Sequence, residues 1–284
     1  MRVEAVLTRL GGVADASTLI AHTSKHRLRT AVADGRVVRD ARGRYALPGV
    51  DEARRAAARL NGVLCLDSAA VQHGWGVKHQ PATPAVAVPR NRKVSAERRE
   101  GARVVYLDLS EDERREQVTS PLRTVLDCAA RLPFDEALAI ADSALREGAI
   151  SREELLSASA RQPKRHRAKC LAVAHAADGR AANPFESVLR ALALEVAGLD
   201  VEPQYWIGER RVDLADPRLG LVIEADSFEF HGERRQLKRD CERYNALTAA
   251  GWIVVRFAWE HVMFEPEYVR AVLASAVTLC RQAA

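Results

Sequence analysis

Cysteine is scarce and scattered. The five in this 284-residue chain, Cys65, Cys128, Cys170, Cys241 and Cys280, form no CxxC. A zinc ribbon and a disulfide framework therefore have no support. No run approaches the roughly 18 uninterrupted apolar residues of a membrane span, and even Trp252–Phe257 is broken by Arg256. The first residues, MRVEAVLTRLGG, lack the apolar core and cleavage site of a secretory signal, so a cytoplasmic protein without a membrane partner is expected. Lysine is also rare, at six of the 43 basic residues. Arginine forks suit phosphate, although an Arg- and Ala-rich chain is also what a GC-rich genome produces. With 48% hydrophobic and 29% charged residues the chain is not wholly disordered. At roughly 100–200 residues per domain its length predicts two domains or three small ones.

Charge is unevenly placed. Residues 1–50 carry a net +5, 51–183 a net +4 and 184–284 a net −4. A basic front and an acidic back point to an anion-binding module joined to a segment that concentrates carboxylates. Val3, Val6, Leu7 and Leu10 follow helical spacing, and Gly11-Gly12 end that helix. Asp15 or Ser17 caps a second helix, Ser24 caps a third, and Gly35 sits where a C-terminal glycine belongs. RVVRDARGRYALP then reads as a hairpin turning at Asp40–Gly43. Three helices and a hairpin are the layout of a winged helix-turn-helix. Its third helix offers Lys25, His26, Arg27 and Arg29, and the wing offers Arg39, Arg42 and Arg44. Such a helix enters a major groove while the wing tracks the backbone; the competing reading is a small helical domain with solvated arginines.

Residues 51–160 mix helices and strands into an α+β middle domain without ligand spacing among Asp67, His73, Asp127 and Asp142. The run RQPKRHRAK opens a basic linker spanning 161–182. From Asn183 the pattern tightens. Asn183 caps a helix with Pro184 first and an apolar stripe of Phe185, Val188, Leu189, Leu192 and Val196. VEPQYWI, RRVDLAD and LGLVIEAD read as strands, and a long helix over about 233–250 presents Leu237, Cys241, Tyr244 and Thr248 on one face. WIVVRF is a buried strand before a closing helix. This α-β-β-β-α-β order is that of the restriction-endonuclease-like core, within an α/β multi-domain chain.

Acids gather on those strands. Alternation places Glu224 and Asp226 on one face, and a hairpin pairing brings Asp213 towards both. Two like charges about 4 Å apart repel by roughly 4 kcal/mol at an effective dielectric of ~20. Mg²⁺ or Mn²⁺ would relieve this and activate water against a phosphodiester. The structural alternative has Asp213 capping a turn and Glu224 paired with an arginine. Glu186 either reaches the metal or completes a capping box with Asn183. Asp240 and Arg243 either pair along one helix face or line the cleft, with Arg243 or Arg256 on a phosphate.

Two resemblances bear on these segments. GGVADASTLIA and SKHRLRTAVADGRVVRDARGRYALPG resemble the N-terminal domain of AbiEi antitoxins of type IV toxin–antitoxin systems, which implies a DNA-binding, often autoregulatory module. The middle segment is similar to the one behind that domain in the same proteins. FESVLRALAL, the Asp of RVDLAD, IEADSFEFHG, the Asp240/Arg243 pair and GWIVVRF resemble very-short-patch-repair-like endonuclease domains of the PD-(D/E)XK superfamily. That match implies active-site positions for Asp213 and Asp226, the second acid for Glu224, and the catalytic histidine for His231. Three departures stand out: Glu224-Ala225-Asp226 lacks the ExK lysine, Ser227 replaces a common glycine, and the repair enzymes' zinc cysteines are missing. His231, with an ordinary pKa near ~6.5, would replace lysine in proton transfer.

The expectation is therefore a winged helix over 1–50, a middle domain over 51–160, a basic linker and a nuclease domain over 183–284. Asp213 and Glu224 hold the metal with Asp226 assisting, and the chain cuts DNA in repair or mobile-element defence. The rival is an antitoxin-like regulator with an inactive nuclease fold and a toxin or defence-system protein as partner.

Overall fold

A computed structural model describes residues 2–9, 12–41, 43–49, 51–226 and 234–283. It divides into two compact units, residues 1–74 with 80–124, and 75–79 with 125–284.

The first unit opens with α1 (Val3–Arg9), β1 (Val13–Asp15), α2 (Ala16–His22), α3 (Lys25–Ala33), β2 (Val38–Ala41) and β3 (Arg44–Ala46). Asp15 accepts from the Thr18 amide at 2.8 Å to start α2, and Ser24 accepts from the Arg27 amide at 3.2 Å to start α3. Each satisfies an amide that the first helical turn leaves without a partner. Val3, Val6, Leu7, Leu19, Leu28, Ala31 and Val37 bury together. The strands form an antiparallel sheet in the order β1-β3-β2. Gly43 provides the left-handed residue of the β2–β3 turn, at φ +75°.

Next come α4 (Glu52–Leu60), β4 (Val63–Leu64), α5 (Leu66–Gln72), β5 (Ala85–Val88), α6 (Ala96–Arg99), β6 (Arg103–Tyr106), α7 (Glu111–Glu116) and α8 (Pro121–Arg131). Strand β5 is central in the sheet β4-β5-β6, antiparallel to β4 and parallel to β6. It reads AVAV and is buried at every position, as a strand covered on both faces must be.

The division between the units falls within α8. Helices α9 (Phe134–Arg146), α10 (Arg152–Ala160) and α11 (Lys164–Ala176) belong to the second unit. The expected linker covers 161–182. Most of it is α11, whose Cys170, Val173 and Ala174 are buried. The basic run that reads as a linker is the exposed first turns of that helix.

The rest is α12 (Pro184–Leu194), β7 (Glu202–Ile207), β8 (Arg210–Asp216), β9 (Leu221–Asp226), α13 (Arg234–Ala249), β10 (Ile253–Ala258), α14 (Trp259–Phe264) and α15 (Pro266–Ala283). The sheet runs β10-β9-β8-β7, with β10 parallel to β9 and the other neighbours antiparallel. One apolar layer joins α12 and α15 to the sheet through Val188, Leu189, Leu214, Ile223, Phe257 and Leu273. A smaller layer joins Val212, Val222 and Val254 to Tyr244 and Leu247 of α13. The expected α13 face is therefore rotated: Cys241 and Thr248 are exposed, and Tyr244 and Leu247 turn to the sheet. Asp142 of α9 and Arg190 of α12 are both buried and form an ion pair at 2.6 Å between these two helices.

Candidate active site

The β8–β9 ladder supplies the site by ending early. Its last regular pairs are Asp216↔Leu221, Ala215↔Val222 and Leu214↔Ile223. One residue further, the Ala225 amide donates to Asp213 Oδ2 at 2.9 Å. A carboxylate thus accepts a bond from the strand's backbone, which anchors Asp213 to β9.

Beside it stands Glu224, 4% exposed. Its carboxyl is pushed up to about 8, by burial first and then by the charge of Asp213 and a hydrogen bond with it. Two acids side by side cannot both ionise cheaply, so Glu224 holds its proton more tightly than a free carboxyl. Arg243 Nη2 opposes this from α13, donating to Glu224 Oε1 at 2.6 Å and to the Arg211 carbonyl at 2.9 Å. Burial and the charge of Glu224 push the neighbouring Tyr244 phenol up to about 12.

Glu186 enters from the first turn of α12 and is 5% exposed. Asn183 caps the helix as expected, accepting from the Glu186 amide at 3.0 Å. The Glu186 carboxylate does not return to the Asn183 amide to close a capping box. It accepts from the Ala182 amide at 2.8 Å, Asn183 Nδ2 at 2.9 Å and Gln204 Nε2 at 2.8 Å. Burial is the main cause raising its pKa, and the charge of Asp213 adds to it.

Gln204 links these acids. It lies between the pairs Pro203↔Leu214 and Tyr205↔Val212, hence opposite Asp213. Its amide nitrogen binds Glu186 and makes a long contact of 3.5 Å with Asp213 Oδ1. The backbone is left-handed, at φ +54°, a strained state for a residue with a Cβ. Nothing in VEPQYWI marks this glutamine, because its importance comes from strand register and an unusual backbone angle.

Asp226 is placed differently from the expectation. It forms an ion pair with Arg256, and both side chains are about two-fifths exposed. Arg256 lies over the Tyr244 ring at 4.1 Å from its centroid. Among the described residues no three His, Cys, Asp or Glu side chains are placed to hold one metal ion. What does converge is the pair Asp213/Glu224, with Glu186 joined through Gln204. Such hard oxygen donors fit Mg²⁺ or Mn²⁺, and Mg²⁺ commonly takes one or two carboxylates and keeps several waters. Exposed ion pairs contribute about 0–1 kcal/mol, so Arg256 holds Asp226 weakly. Arg243 goes to Glu224 rather than forming the local pair with Asp240. His231 lies outside the described residues, as does Arg42.

Of the expected cations in the first unit, Lys25, His26, Arg27, Arg29 and Arg39 are exposed. Arg44 is half-buried, with Asn61 Oδ1 at 2.6 Å and Asp15 at 3.7 Å.

Comparison with known proteins adds three findings. The family model REase_MTES_1575, a restriction-endonuclease-like family, matches residues 185–277. The uncharacterised proteins MT2308 (strain CDC 1551 / Oshkosh) and Rv2248 (strain ATCC 25618 / H37Rv) of Mycobacterium tuberculosis are each 31% identical over 278 residues. Those alignments cover 92% of this chain and 99% of theirs. The crystal structure of the RV2827C protein from Mycobacterium tuberculosis is 16% identical. It covers 66% of this chain and 79% of its own with a TM-score of 0.38, too loose a superposition to assign a fold. The segment carrying Glu186, Asp213, Glu224 and Asp226 is thus a nuclease-like domain, of a kind that acts on DNA and generally uses divalent metals. On the full-length likeness, the chain belongs to one family with these two uncharacterised mycobacterial proteins.

Proposed function

We propose that the chain is a metal-dependent DNA endonuclease. In this reading residues 1–50 are a winged helix, 51–160 an AbiEi-like middle segment and 183–284 the nuclease, serving DNA repair or defence. The observation that carries it is the pairing of buried Glu224 with half-buried Asp213 at the end of the β8–β9 ladder of a restriction-endonuclease-like domain. Asp213 and Glu224 hold the ion, and Asp226 joins them on leaving Arg256. When bound, a divalent ion would supply positive charge at the phosphate and lower the pKa of water. Glu224 releases its proton on loading, and Arg243 steadies the resulting carboxylate. Gln204 and Glu186 keep Asp213 oriented. Arg256, freed from Asp226, meets a phosphate oxygen with its guanidinium fork. His231 acts as general acid or base in place of the lysine.

The test is cleavage of linear, nicked, mismatched and single-stranded DNA with Mg²⁺ or Mn²⁺. Asp213→Asn is expected to abolish cleavage and to shrink the Mn²⁺-dependent rise in melting temperature, because ligand-linked stabilisation scales with affinity. An equal Mn²⁺ shift in wild type and variant removes Asp213 from the ligand set.

One observation favours the regulator reading. Asp226 already has an arginine partner, and Glu224 holds a proton beside Arg243, so the fold accommodates both acids without a metal. A wild type that binds its own promoter yet cuts no DNA form with either metal decides for that reading.

A further inference from the structure

Two arginines of the first unit meet at Asn61, and a third acts on one of them through its charge. Asn61 ends α4 in a left-handed conformation, φ +48°. Arg44, from β3, donates to its side-chain Oδ1 at 2.6 Å. Arg92, from the loop after β5, donates to its backbone carbonyl at 2.8 Å. Two guanidinium groups thus share one residue. Arg98 of α6 adds a third charge; after burial, Arg98 and then Arg44 are the causes that push the Arg92 guanidinium below its ordinary pKa. Neither Arg92 nor Arg98 forms an ion pair among the described residues.

Helix capping does not account for the group. The C-terminus of α4 offers about half a negative charge, and Asp15 forms an ion pair with Arg44 at 3.7 Å. More than one positive charge is left over, and exposed Lys93 follows Arg92 directly. Capping needs one cation; three that repel one another suit an anion that arrives from outside. Arg44 also lies on the strand paired with β2, where Arg39 is exposed opposite Tyr45. The cluster therefore continues the cation-bearing segment of α3 and β2, which favours a polyanion over a small ion.

We propose that Arg44 and Arg92, which meet at Asn61, form with Arg98 of the neighbouring α6 a phosphate site for the backbone of duplex DNA. This adds a middle-segment contact to the expected winged-helix contacts, and it rests on the DNA-binding reading above. Each phosphate engaged contributes about 0.9 to the slope of log K against log[salt].

The experiment is anisotropy of a labelled duplex with full-length protein in EDTA, titrated with salt. The double variant Arg92→Gln/Arg98→Gln is expected to weaken binding roughly 5- to 30-fold near 0.15 M salt and to flatten the slope by about 1–2. Asn61→Asp keeps a residue that tolerates the left-handed conformation and places a carboxylate between the arginines. It is expected to weaken binding in the same direction while melting at or above the wild-type temperature. Wild type that binds while both variants keep its affinity and slope overturns the cluster and leaves the DNA reading standing. Wild type that fails to bind overturns both. A thermal shift with inorganic phosphate, lost in the double variant while duplex affinity is unchanged, assigns the site to a small anion and also overturns the proposal.

Discussion

Asp142 and Glu224 are both buried carboxylates of the second unit with arginine partners, and they are built differently. Asp142 receives two bonds from Arg190 Nη2, at 2.8 and 2.6 Å, and one from the Asp178 amide at 2.8 Å. Arg190 also binds the Ala176 carbonyl at 2.5 Å. Glu224 receives one bond from Arg243 and faces another acid on its other side. A buried charge is tolerated when its lone pairs are filled. Asp142 meets that condition and joins α9 to α12. Glu224 meets it only by keeping a proton. The first arrangement serves the fold, and the second leaves oxygen atoms ready for a new partner.

Removing the arginines separates the two cases. Arg190→Met leaves Asp142 buried without its cation, and breaking such a pair costs roughly 3–5 kcal/mol. Arg243→Met leaves Glu224 beside Asp213 with the neutral acid already favoured at pH 7, so no uncompensated charge is created. Its expected cost is about 1 kcal/mol, the order of one lost hydrogen bond. Urea midpoints compared at pH 7 measure both. Equal losses would make the Glu224 pair as structural as that of Asp142.

The contrast was only partly legible in the sequence. Local signals carried the Asn183 cap, the α12 stripe, the strand order and the shared face of Glu224 and Asp226, because each depends on near neighbours in the chain. The arginine partners were not resolved that way. Arg243 reaches Glu224 across 19 residues and Arg256 reaches Asp226 across 30, so pairing depends on where α13 and β10 pack. Arg190 and Asp142 looked like ordinary helix residues, separated by a run that reads as a linker. That run hid α11 because Lys164, Arg165, Arg167 and Lys169 crowd its first turns while the buried Cys170, Val173 and Ala174 come later. Gln204 carried no signal, since its left-handed backbone is imposed by the sheet around it.

A smaller effect comes from the proton on Glu224. Its folded pKa, about 8, lies above the ordinary 4.5, so the native state holds the proton more tightly than the unfolded chain. The contribution to stability is full below about pH 4.5 and is lost as pH rises through 8. The slope approaches at most ~1.4 kcal/mol per pH unit in that window. Glu224→Gln, always neutral, is expected to remove this component from metal-free stability measured between pH 5 and 9. The Arg190→Met background should leave the component intact, because its lost pair lies elsewhere. An unchanged wild-type slope in Glu224→Gln would mean that the proton is not held at Glu224.

The smallest expected effect concerns Gln204. Its side chain ties Glu186 to the Asp213 edge, whereas its backbone stands at φ +54°. Gln204→Ala and Gln204→Gly remove the same amide bonds, so the difference between them reports on the backbone alone. A residue with a Cβ is disfavoured in this conformation by about 1–2 kcal/mol. Glycine escapes that penalty but loses more chain entropy on folding, roughly 0.5–1 kcal/mol. The glycine variant is therefore expected to be the more stable by up to about 1 kcal/mol in urea unfolding. Both should lose the orientation of Asp213, with Mn²⁺-linked stabilisation weakened to a similar degree. If alanine is as stable as glycine, the left-handed backbone stores no strain at the acidic pair. If Mn²⁺ binding survives in both, Asp213 is held by the Ala225 amide without help from Gln204.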